Sequence, residues 1–575
     1  MASNFMQPKR RRGNQADIIS SGSDESSSDY ESDSSSSSDT ISTSIKSENK
    51  SYPVFPVSVF PTEWEQCSTT VPAQEHLPTV VWKREDCFPQ RFEFSGQHGV
   101  TIADLDNNSS PLEVFHQFIP QELFEHIAAQ TNKYAYNQPV NLDSHNKVWS
   151  NTTSDEIKGL LALVILMGVI PKPDIQAYWS REPMTETPFF ASTMPRDRFM
   201  QLLLNLHFNN NDDDDGIDRL FKLRPVIDTL TENFKTVYVP SQNITTDQSV
   251  LKFHGQLKQH NSAKRARFGI KTYKTCQSSG DAAGYTWNIK ICTGDNRGEI
   301  AASSQAVLDL NEDLLDCGYN IFLDNSFSRP DLFLRLRERQ TNACGAVKLN
   351  RKQMPSDLKN VKLKRGEYAF RSSDSGLLAL VWKDRKDVKI LSTMHSASVE
   401  ESDRIDKDGN PIEKPSCILD YNKYKHGKYG VDVSYQLASS HHSVRKSVLK
   451  WYKKLFFYLV DLCLVNSFIV YKLQDHKIQY TDFRIALVRD ILQTVILPMY
   501  NTRSRPHTLP SPNRLTGRHF PLTLPPTPRN SNPSKRCVVC KSGGIRRETR
   551  YACDACNMPL CVHPCFKIYH TQRDY

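Results

Sequence analysis

The chain has 575 residues, of which 38% are hydrophobic, so it can bury several cores and is not a small scaffold held together by disulfides. Its formal net charge of +9 is unevenly distributed, because the first fifty residues are acidic overall and the last seventy-five are strongly basic, which favours a polyanionic partner. The first fourteen residues contain no apolar core, so we expect no signal peptide, and we expect the fourteen cysteines to lie in a reducing compartment.

The N-terminal region is rich in Ser, Asp and Glu and nearly free of aromatic residues. Such a segment cannot bury enough apolar surface to offset the entropy cost of ordering it. Within it, residues 8–12 read Pro-Lys-Arg-Arg-Arg, a basic cluster typical of nuclear import signals. We therefore predict that residues 1–85 form a disordered tail and that the protein is located in the nucleus.

Helical periodicity dominates the next part of the chain. Apolar residues recur at helical spacing in 111–129 and in 154–168, where Ser154 is a candidate N-cap. The same spacing returns in 202–208 and 226–238, each after a proline. We predict an all-helical region that ends near residue 240.

Two apolar runs are nearly long enough to suggest membrane spans. The run 157–170 is too short and contains Lys158, and the run 455–471 is interrupted by Asp461 and Asn466. We interpret both as buried helices and expect no membrane association.

A different periodicity begins at residue 244. Strands are predicted at 244–253, 269–276 and 286–292, followed by a helix around 308–315 and a strand at 320–323. This order describes an antiparallel meander followed by a crossover. The sequence therefore predicts a mixed sheet.

The remainder of the chain returns to helices after a short β-rich stretch. Residues 366–395 contain further short strands, which we interpret as an insertion. Helical spacing resumes at 443–472 and at 481–495. Seven prolines between residues 506 and 528 then predict a linker before the cysteine-rich end.

Two acids lie on the predicted sheet. Asp324 follows the buried run 320–323, at the edge where open α/β sheets place their chemistry, although an Asp there is also typical of a turn or an N-cap. Asp247 lies in the first strand. If the two strands are neighbours, their carboxylates are close together, which favours a cation between them. Oxygen ligands indicate Mg²⁺ or Mn²⁺, and a third acid on a following helix would complete a two-metal site.

The last forty residues carry a cysteine pattern typical of zinc binding. Two Cys-x2-Cys pairs precede a third group of ligands, and a segment of this size depends on metal to fold. Seven candidate ligands are one short of two complete sites, and His563 is the candidate for the eighth. Spacing does not decide which ligands share an ion. The predicted ligands are Cys537, Cys540, Cys553, Cys556, Cys561, His563, Cys565 and His570.

Three arginines, Arg546, Arg547 and Arg550, lie between the two cysteine pairs. They are candidates for contacts with DNA phosphates, although exposed arginines are often only solvated.

Many short motifs of the chain resemble, in one order from about residue 85, those of piggyBac-type transposases, including the piggyBac transposable element-derived proteins. The motifs are Tyr178-Trp179-Ser180, Thr187-Pro188-Phe189-Phe190, Arg196-Asp197-Arg198-Phe199, His207-Phe208-Asn209-Asn210-Asn211, the segment around Asp247, Arg267-Phe268-Gly269-Ile270-Lys271, Asp324-Asn325, Tyr421-Asn422-Lys423 and Gly430-Val431-Asp432.

The resemblance implies an RNase H-like core of the DDE class that cuts and joins DNA phosphodiesters with Mg²⁺. By position, Asp247, Asp324 and Asp432 match the three acids. The resemblance also implies insertion at TTAA, excision through hairpinned ends, a homodimer, and a cysteine-rich domain that binds transposon-end DNA with interleaved zinc ligands.

Two features depart from the family pattern. Tyr435 stands where the family usually has another Asp, three residues after the third acid, and the segment between Asp420 and Asp432 is longer than usual. Either change weakens a metal site, and Asp420 is a weaker candidate for the third acid. The main alternative is therefore a catalytically silent, transposon-derived nuclear DNA-binding protein; a nuclease acting on other substrates is less favoured.

The sequence thus predicts an α/β protein with an RNase H-like mixed-sheet core, a flanking all-helical domain for dimerisation and DNA binding, and a zinc module. The predicted boundaries are 1–85 for the tail, 86–240 and 443–503 for the helical domain, 241–365 and 419–442 for the core, 366–418 for the inserted β-rich region, 504–534 for the linker and 535–575 for the zinc module.

Overall fold

A computed structural model describes most of the chain after residue 78. The basic cluster at 8–12, the acidic tail, Asp432 and Tyr435 lie outside the described residues. The described residues are 79–138, 149–252, 259–260, 268–292, 299–405, 409, 411–425, 450–500, 518–528 and 530–572.

Helices dominate residues 111–237, as predicted, but the region up to residue 240 is not all-helical, because short strands lie at Trp82–Lys83, Gly99–Val100 and Tyr238–Val239. The predicted helix over 111–129 is two helices, because Pro120 precedes the second and lacks the N–H that a continuous helix needs. The next helix is capped by Thr153, whose hydroxyl accepts a hydrogen bond from the Glu156 N–H, and not by Ser154. The helices are α1 Pro111–His116, α2 Gln121–Tyr136, α3 Ser154–Val169, α4 Pro188–Thr193, α5 Arg196–Asn205 and α6 Arg224–Val237. Short 3₁₀ helices lie at Gln176–Trp179, Asn211–Asp213, Phe221–Leu223, Glu312–Leu314 and Asp357–Asn360.

Strands dominate the middle of the chain, and three helices are interspersed with them. The strand predicted at 320–323 has those bounds, and the other strands of the predicted core lie within one or two residues of their predicted ends. The strands are β1 Trp82–Lys83, β2 Gly99–Val100, β3 Tyr238–Val239, β4 Asn243–Lys252, β5 Gln259–His260, β6 Phe268–Gln277, β7 Thr286–Ile291, β8 Asn320–Leu323, β9 Asn342–Ala346, β10 Tyr368–Ser373, β11 Leu378–Lys383, β12 Asp387–Ser392, β13 Val399–Ile405 and β14 Pro411–Pro415. The helices are α7 Glu299–Asn311, α8 Pro330–Glu338 and α9 Ser416–Tyr424.

Ten of the described strands form one mixed sheet, which confirms the predicted fold class. The order is β1, β10, β11, β12, β9, β8, β4, β6 and β5, and β7 also pairs with β6. The pairs β4–β8 and β8–β9 are parallel, whereas β4, β6 and β7 form the predicted antiparallel meander. Strands β10–β12, which we assigned to an insertion, continue the sheet because β12 pairs with β9.

Helices cover both faces of the sheet. On one face, Ile244, Ile321 and Leu323 belong to a large core that also includes residues of α7 and α8. On the other face, Phe322 and Cys344 pack in a smaller cluster with α9. Because side chains of a strand alternate between faces, Asp247 lies on the same face as Thr245, and the pairing of Thr245 with Phe322 places both on the α9 face.

Two long helices complete the core, α10 Trp451–Leu473 and α11 Tyr480–Thr494. By length and composition α10 is apolar enough to cross a membrane, but 83% of its apolar window is buried inside the protein. Its Asn466 side chain exchanges two hydrogen bonds with the backbone of Thr286 in β7. Helix α10 is therefore a buried core helix, as the interrupted apolar run predicts.

The C-terminal part is a small unit of short elements. Strand β15 Pro521–Thr523 pairs with β18 Tyr551–Cys553, and the N–H of Leu524 donates to the Arg550 carbonyl. Residues 518–528, which we assigned to the linker, thus belong to this unit, and the described part of the unit begins at residue 518. The other elements are β16 Lys535–Arg536, α12 Val538–Ser542, β17 Glu548–Thr549 and α13 Cys565–Thr571.

Candidate active site and zinc-finger domain

The sheet brings Asp247 and Asp324 to adjacent positions. The last paired residues of the parallel strands β4 and β8 are Thr246 and Leu323, so the two acids follow directly on neighbouring strands. Such strands are about 4.8 Å apart. Asp247 is 8% exposed, whereas Asp324 is half-buried at the point where β8 ends. The two acids are therefore placed side by side, as the sequence predicts.

The local bonds of Asp324 belong to a turn and not to a helix N-cap. Its Oδ1 accepts the Asn325 N–H at 2.7 Å, and its backbone carbonyl accepts the Phe327 and Ser328 N–H groups. Helix α8 begins later, with Arg329 as its N-cap residue. The turn holds the carboxylate at the edge of the sheet.

A buried lysine that sequence reasoning did not select lies against Asp247. The Lys425 Nζ is 3.0 Å from Asp247 Oδ2 and donates to Thr245 Oγ1 at 3.0 Å. The Lys425 side chain is 5% exposed and that of Asp247 11% exposed. The other oxygen, Asp247 Oδ1, accepts the Gln248 N–H at 2.6 Å. The first acid of the predicted site is thus engaged by a buried ammonium group.

Helix α9 positions this lysine. Tyr421 and Lys425 are four residues apart, which places them on one face of a helix. The Lys425 N–H donates to the Tyr421 carbonyl at 2.9 Å, so the last turn of α9 reaches Lys425. The pKa of the buried Tyr421 hydroxyl is raised well above its usual value by burial and by the nearby charges of Asp324 and Asp247. This face of α9 therefore lies over both acids.

Asp420, the weaker candidate for the third acid, has a different environment. Its Oδ2 is 3.0 Å from His395 Nε2, and His395 Nδ1 is 2.7 Å from Ser392 Oγ. Burial raises the pKa of Asp420, but the hydrogen bond and charge of His395, together with the charges of Arg91 and Lys423, lower it more, so that the pKa lies below its usual value. Asp432 lies outside the described residues, so the third acid stays a prediction.

The described residues fit a divalent cation only in part. Two carboxylates on adjacent parallel strands supply the oxygen ligands that Mg²⁺ prefers. The ammonium of Lys425 does not fit, because a cation within 3.0 Å of a ligand oxygen repels a second one. In this structure the Asp247 carboxylate is thus in an ion pair with Lys425, which is not the environment of a metal ligand.

The C-terminal unit gathers cysteines and histidines into two groups of four. One group is Cys537, Cys540, Cys561 and Cys565, all buried, and within each group the ligand atoms lie within 4.8 Å of one another. The Cys540 Sγ is 3.5 Å from Cys565 Sγ and 4.0 Å from Cys561 Sγ, spacings close to those of thiolates around one zinc ion. Burial raises the pKa of the Cys537 thiol, but hydrogen bonds from the backbone N–H groups of Cys540 and Cys561 and from the Cys561 and Cys565 thiols together lower it more, to about 7.

The second group contains a histidine that the sequence analysis missed. It consists of Cys553, Cys556, His570 and His519. His563, the predicted eighth ligand, is exposed and belongs to neither group. Along the chain the ligands alternate between the two groups, so the predicted interleaved arrangement is present with His519 in place of His563. His519 was missed because it precedes Cys537 by a proline-containing stretch longer than the usual ligand spacing.

Basic side chains cover part of the same unit. Arg546, Arg547 and Arg550 are exposed, as are Lys535 and Arg536 on the adjacent strand β16. This arrangement makes five positive charges available to a polyanion.

Comparisons with known proteins agree with this architecture. Residues 110–468 match the family model described as Transposase IS4, and residues 527–571 match that of a DDE_Tnp_1-like zinc finger. The human PiggyBac transposable element-derived protein 3 is 25% identical over 484 residues, covering 80% of this chain and 76% of the relative. The human PiggyBac transposable element-derived protein 2 is 25% identical over 434 residues, covering 71% of this chain and 69% of the relative.

A solved structure has the same fold. It is described as a piggyBac transposase synaptic complex with hairpin DNA, and it matches with a TM-score of 0.62 at 21% identity over 81% of this chain and 98% of that chain. The mixed-sheet core with flanking helices is therefore shared with that transposase.

Proposed function

Because the chain belongs to the piggyBac-type transposase family, we propose that it binds transposon-end DNA and cuts and joins DNA phosphodiesters at TTAA targets. We assign the three acids of the reaction to Asp247, Asp324 and Asp432, and we propose Mg²⁺ or Mn²⁺ as the divalent cation that this family implies. We further propose that the protein acts as a homodimer in the nucleus.

One observation carries this proposal. Asp247 and Asp324 directly follow the last paired residues of two adjacent parallel strands. Acids on neighbouring strands of a mixed sheet are expensive to hold together unless a cation or a proton compensates their charge. Such a pair is an arrangement that a metal-dependent phosphoryl-transfer site uses.

DNA binding is assigned to two parts of the chain. The exposed arginines of the zinc-finger domain provide the electrostatic part, since contacts with phosphates position a protein on DNA. The helical regions, which we place at 86–240 and 443–503, are proposed to supply the dimer contacts and further DNA contacts.

The experiment uses the full-length protein with a library of linear duplexes that carry TTAA beside varied flanking sequences. With Mg²⁺ or Mn²⁺, we expect nicks and joined products at TTAA, and we expect Asp324→Ala to remove at least about 99% of them. The matched control is Asp313→Ala, which removes an exposed carboxylate of the same region. Cleavage that survives Asp324→Ala would refute the assigned site. Loss of cleavage in both Asp324→Ala and Asp313→Ala would not support the assignment, because the loss would not be specific to Asp324.

The Lys425 contact favours a second candidate function. A buried ammonium on the first acid, together with Tyr435 in place of the family's additional Asp, suits a transposon-derived nuclear protein that binds DNA without cutting it. If the protein binds DNA without cutting it, we expect the wild type to shift DNA in a gel-shift assay and to produce no nicks with Mg²⁺ or Mn²⁺. Nicking by the wild type excludes it.

A further inference from the structure

We infer that Lys425 is an internal cation that occupies Asp247 and keeps divalent metal from the candidate active site until it moves away. The inference rests on the proposed role of Asp247 as a metal ligand. On this inference, the end of helix α9 controls metal binding through Lys425, which is not itself a metal ligand.

The contacts of Lys425 are those of a built ion pair. Its Nζ reaches both Asp247 Oδ2 and Thr245 Oγ1 at 3.0 Å. The Thr245 hydroxyl donates in turn to the Phe322 carbonyl of β8 at 3.1 Å, so its lone pairs face the lysine. The ammonium is thus fixed to β4 through one carboxylate and one hydroxyl, and indirectly to the strand that carries Asp324.

Burial makes this contact strong. Lys425 and Asp247 are both nearly excluded from solvent, and there a charge pair is weakened by screening much less than at the surface. A second lysine, Lys274 of β6, is paired in register directly opposite Asp247 and is fully buried. The surroundings of the first acid are therefore already compensated by positive charge, and a divalent ion must compete with it.

Lys425 lies where a small movement of the chain would take its ammonium away from Asp247 and free that carboxylate for a divalent ion. It is the first residue after α9 and takes part in its last helical hydrogen bond, to Tyr421. A change confined to this last turn would withdraw the ammonium while leaving Asp247 and Asp324 on the sheet. Binding of DNA phosphates near the end of α9 is one event that would attract a lysine away, because phosphates compete for the same cation.

The test measures Mn²⁺ binding to full-length protein by the shift of its thermal unfolding midpoint and by calorimetric titration. We expect Lys425→Met, which keeps an unbranched side chain of nearly the same length and removes its charge, to bind Mn²⁺ about tenfold or more tightly than the wild type. Its unfolding midpoint without metal should fall, because Asp247 loses the ammonium of Lys425, and should recover with Mn²⁺.

Two controls separate this effect from others. Lys423→Met removes an exposed lysine from the same helix and should leave Mn²⁺ binding unchanged. Asp247→Asn combined with Lys425→Met should abolish the gain, which assigns it to this site and not to the zinc-finger domain. If Lys425→Met fails to fold, Lys425→Gln provides the same test, since it also removes the charge but keeps a polar end in the buried site.

Equal Mn²⁺ affinity in the wild type and in Lys425→Met or Lys425→Gln would overturn the inference, and Lys425 would then be only a structural ion pair. The outcome is distinct from failure of the proposed function. Variants that gain Mn²⁺ binding without DNA cleavage support the role of Lys425 and count against the enzyme. If the wild type cleaves DNA and binds Mn²⁺ as tightly as the variants, the enzyme is supported and the role of Lys425 is contradicted.

Discussion

Glu156 and Arg198 form a buried ion pair that connects α3 to α5. The Arg198 Nη2 is 2.6 Å from Glu156 Oε2, and its Nε donates to Oε1 at 2.8 Å. The remaining acceptor capacity of Glu156 is used by the hydroxyls of Thr152, at 2.8 Å, and Tyr500, at 3.1 Å. Arg198→Ala leaves a buried carboxylate without its cation, and we expect it to lower the free energy of unfolding by about 3–5 kcal/mol in urea titrations.

The matched control for this pair lies on the same helix. Arg196 pairs with Asp197, but both side chains are more than half exposed, so Arg196→Ala should change the free energy of unfolding by less than about 0.5 kcal/mol. The double variant Glu156→Gln with Arg198→Met, which removes both charges, should recover part of the stability that Arg198→Ala loses. Equal losses in Arg196→Ala and Arg198→Ala would contradict the importance of burial.

Asp420 should make the stability depend on pH at the acid end. Its folded-state pKa lies below the value of about 3.8 in the unfolded chain, although burial alone would raise it, because His395 stabilises the charged form. The stabilisation that Asp420 provides is therefore complete above its unfolded-state pKa and is lost as pH falls through its folded-state pKa. We expect Asp420→Asn to cost about 1–2 kcal/mol at pH 7 and less at pH 3, in urea titrations at both pH values.

Asp387 provides the comparison. Its pKa is also lowered, chiefly by a hydrogen bond from Lys383, but this pair lies at the surface. Solvent screening should reduce the effect of Asp387→Asn to within about 0.5 kcal/mol at either pH. A pH dependence as large in Asp387→Asn as in Asp420→Asn would show that burial of Asp420 does not matter.

At the scale of the elements, the zinc-finger domain gives the sharpest test. His519 lies with Cys553, Cys556 and His570, whereas His563 is exposed. We expect His519→Ala to lower the zinc content of the full-length protein from about two ions to about one, because three ligands hold zinc less tightly than four. His563→Ala should keep both ions, as measured by metal analysis of the purified protein. Loss of zinc in His563→Ala but not in His519→Ala would restore the ligand that spacing suggested.

Elements with strong local signals were predicted well. Strand β8 is a short buried run between turns, and its bounds follow from the sequence alone. The helix after Thr153 was predicted with its cap one residue too late, because Thr153 and Ser154 are both good N-caps and only the structure shows which hydroxyl meets Glu156.

Contacts between distant segments were not predictable. Strands β10–β12 were recognised as strands, but their pairing with β9 depends on register between separate segments, which no local pattern encodes. For the same reason Lys425 was not selected, since its partner Asp247 is 178 positions away in the chain. The sequence was enough to pair Asp247 with Asp324, because parallel strands place equivalent ends together.

At the scale of the whole molecule, the basic C-terminal end has a measurable consequence for DNA binding. A protein that contacts Z phosphates loses affinity with salt at a logarithmic slope of about −0.9Z. Arg546, Arg547 and Arg550 are exposed on the zinc-finger domain. If all three contact phosphates, replacing them together with alanine should reduce the steepness of the slope by about 2.7, as measured by fluorescence anisotropy with duplex DNA.

The triple lysine variant isolates charge from the rest of the arginine side chain. It keeps three positive charges at the same positions, so its salt slope should stay close to that of the wild type even if its affinity falls, because lysine contacts phosphate as a point charge without the planar fork of arginine. The zinc content of both variants should remain that of the wild type, since none of the three arginines is a ligand. An alanine variant with an unchanged slope would mean that these arginines are only solvated and that the DNA contacts lie elsewhere on the chain.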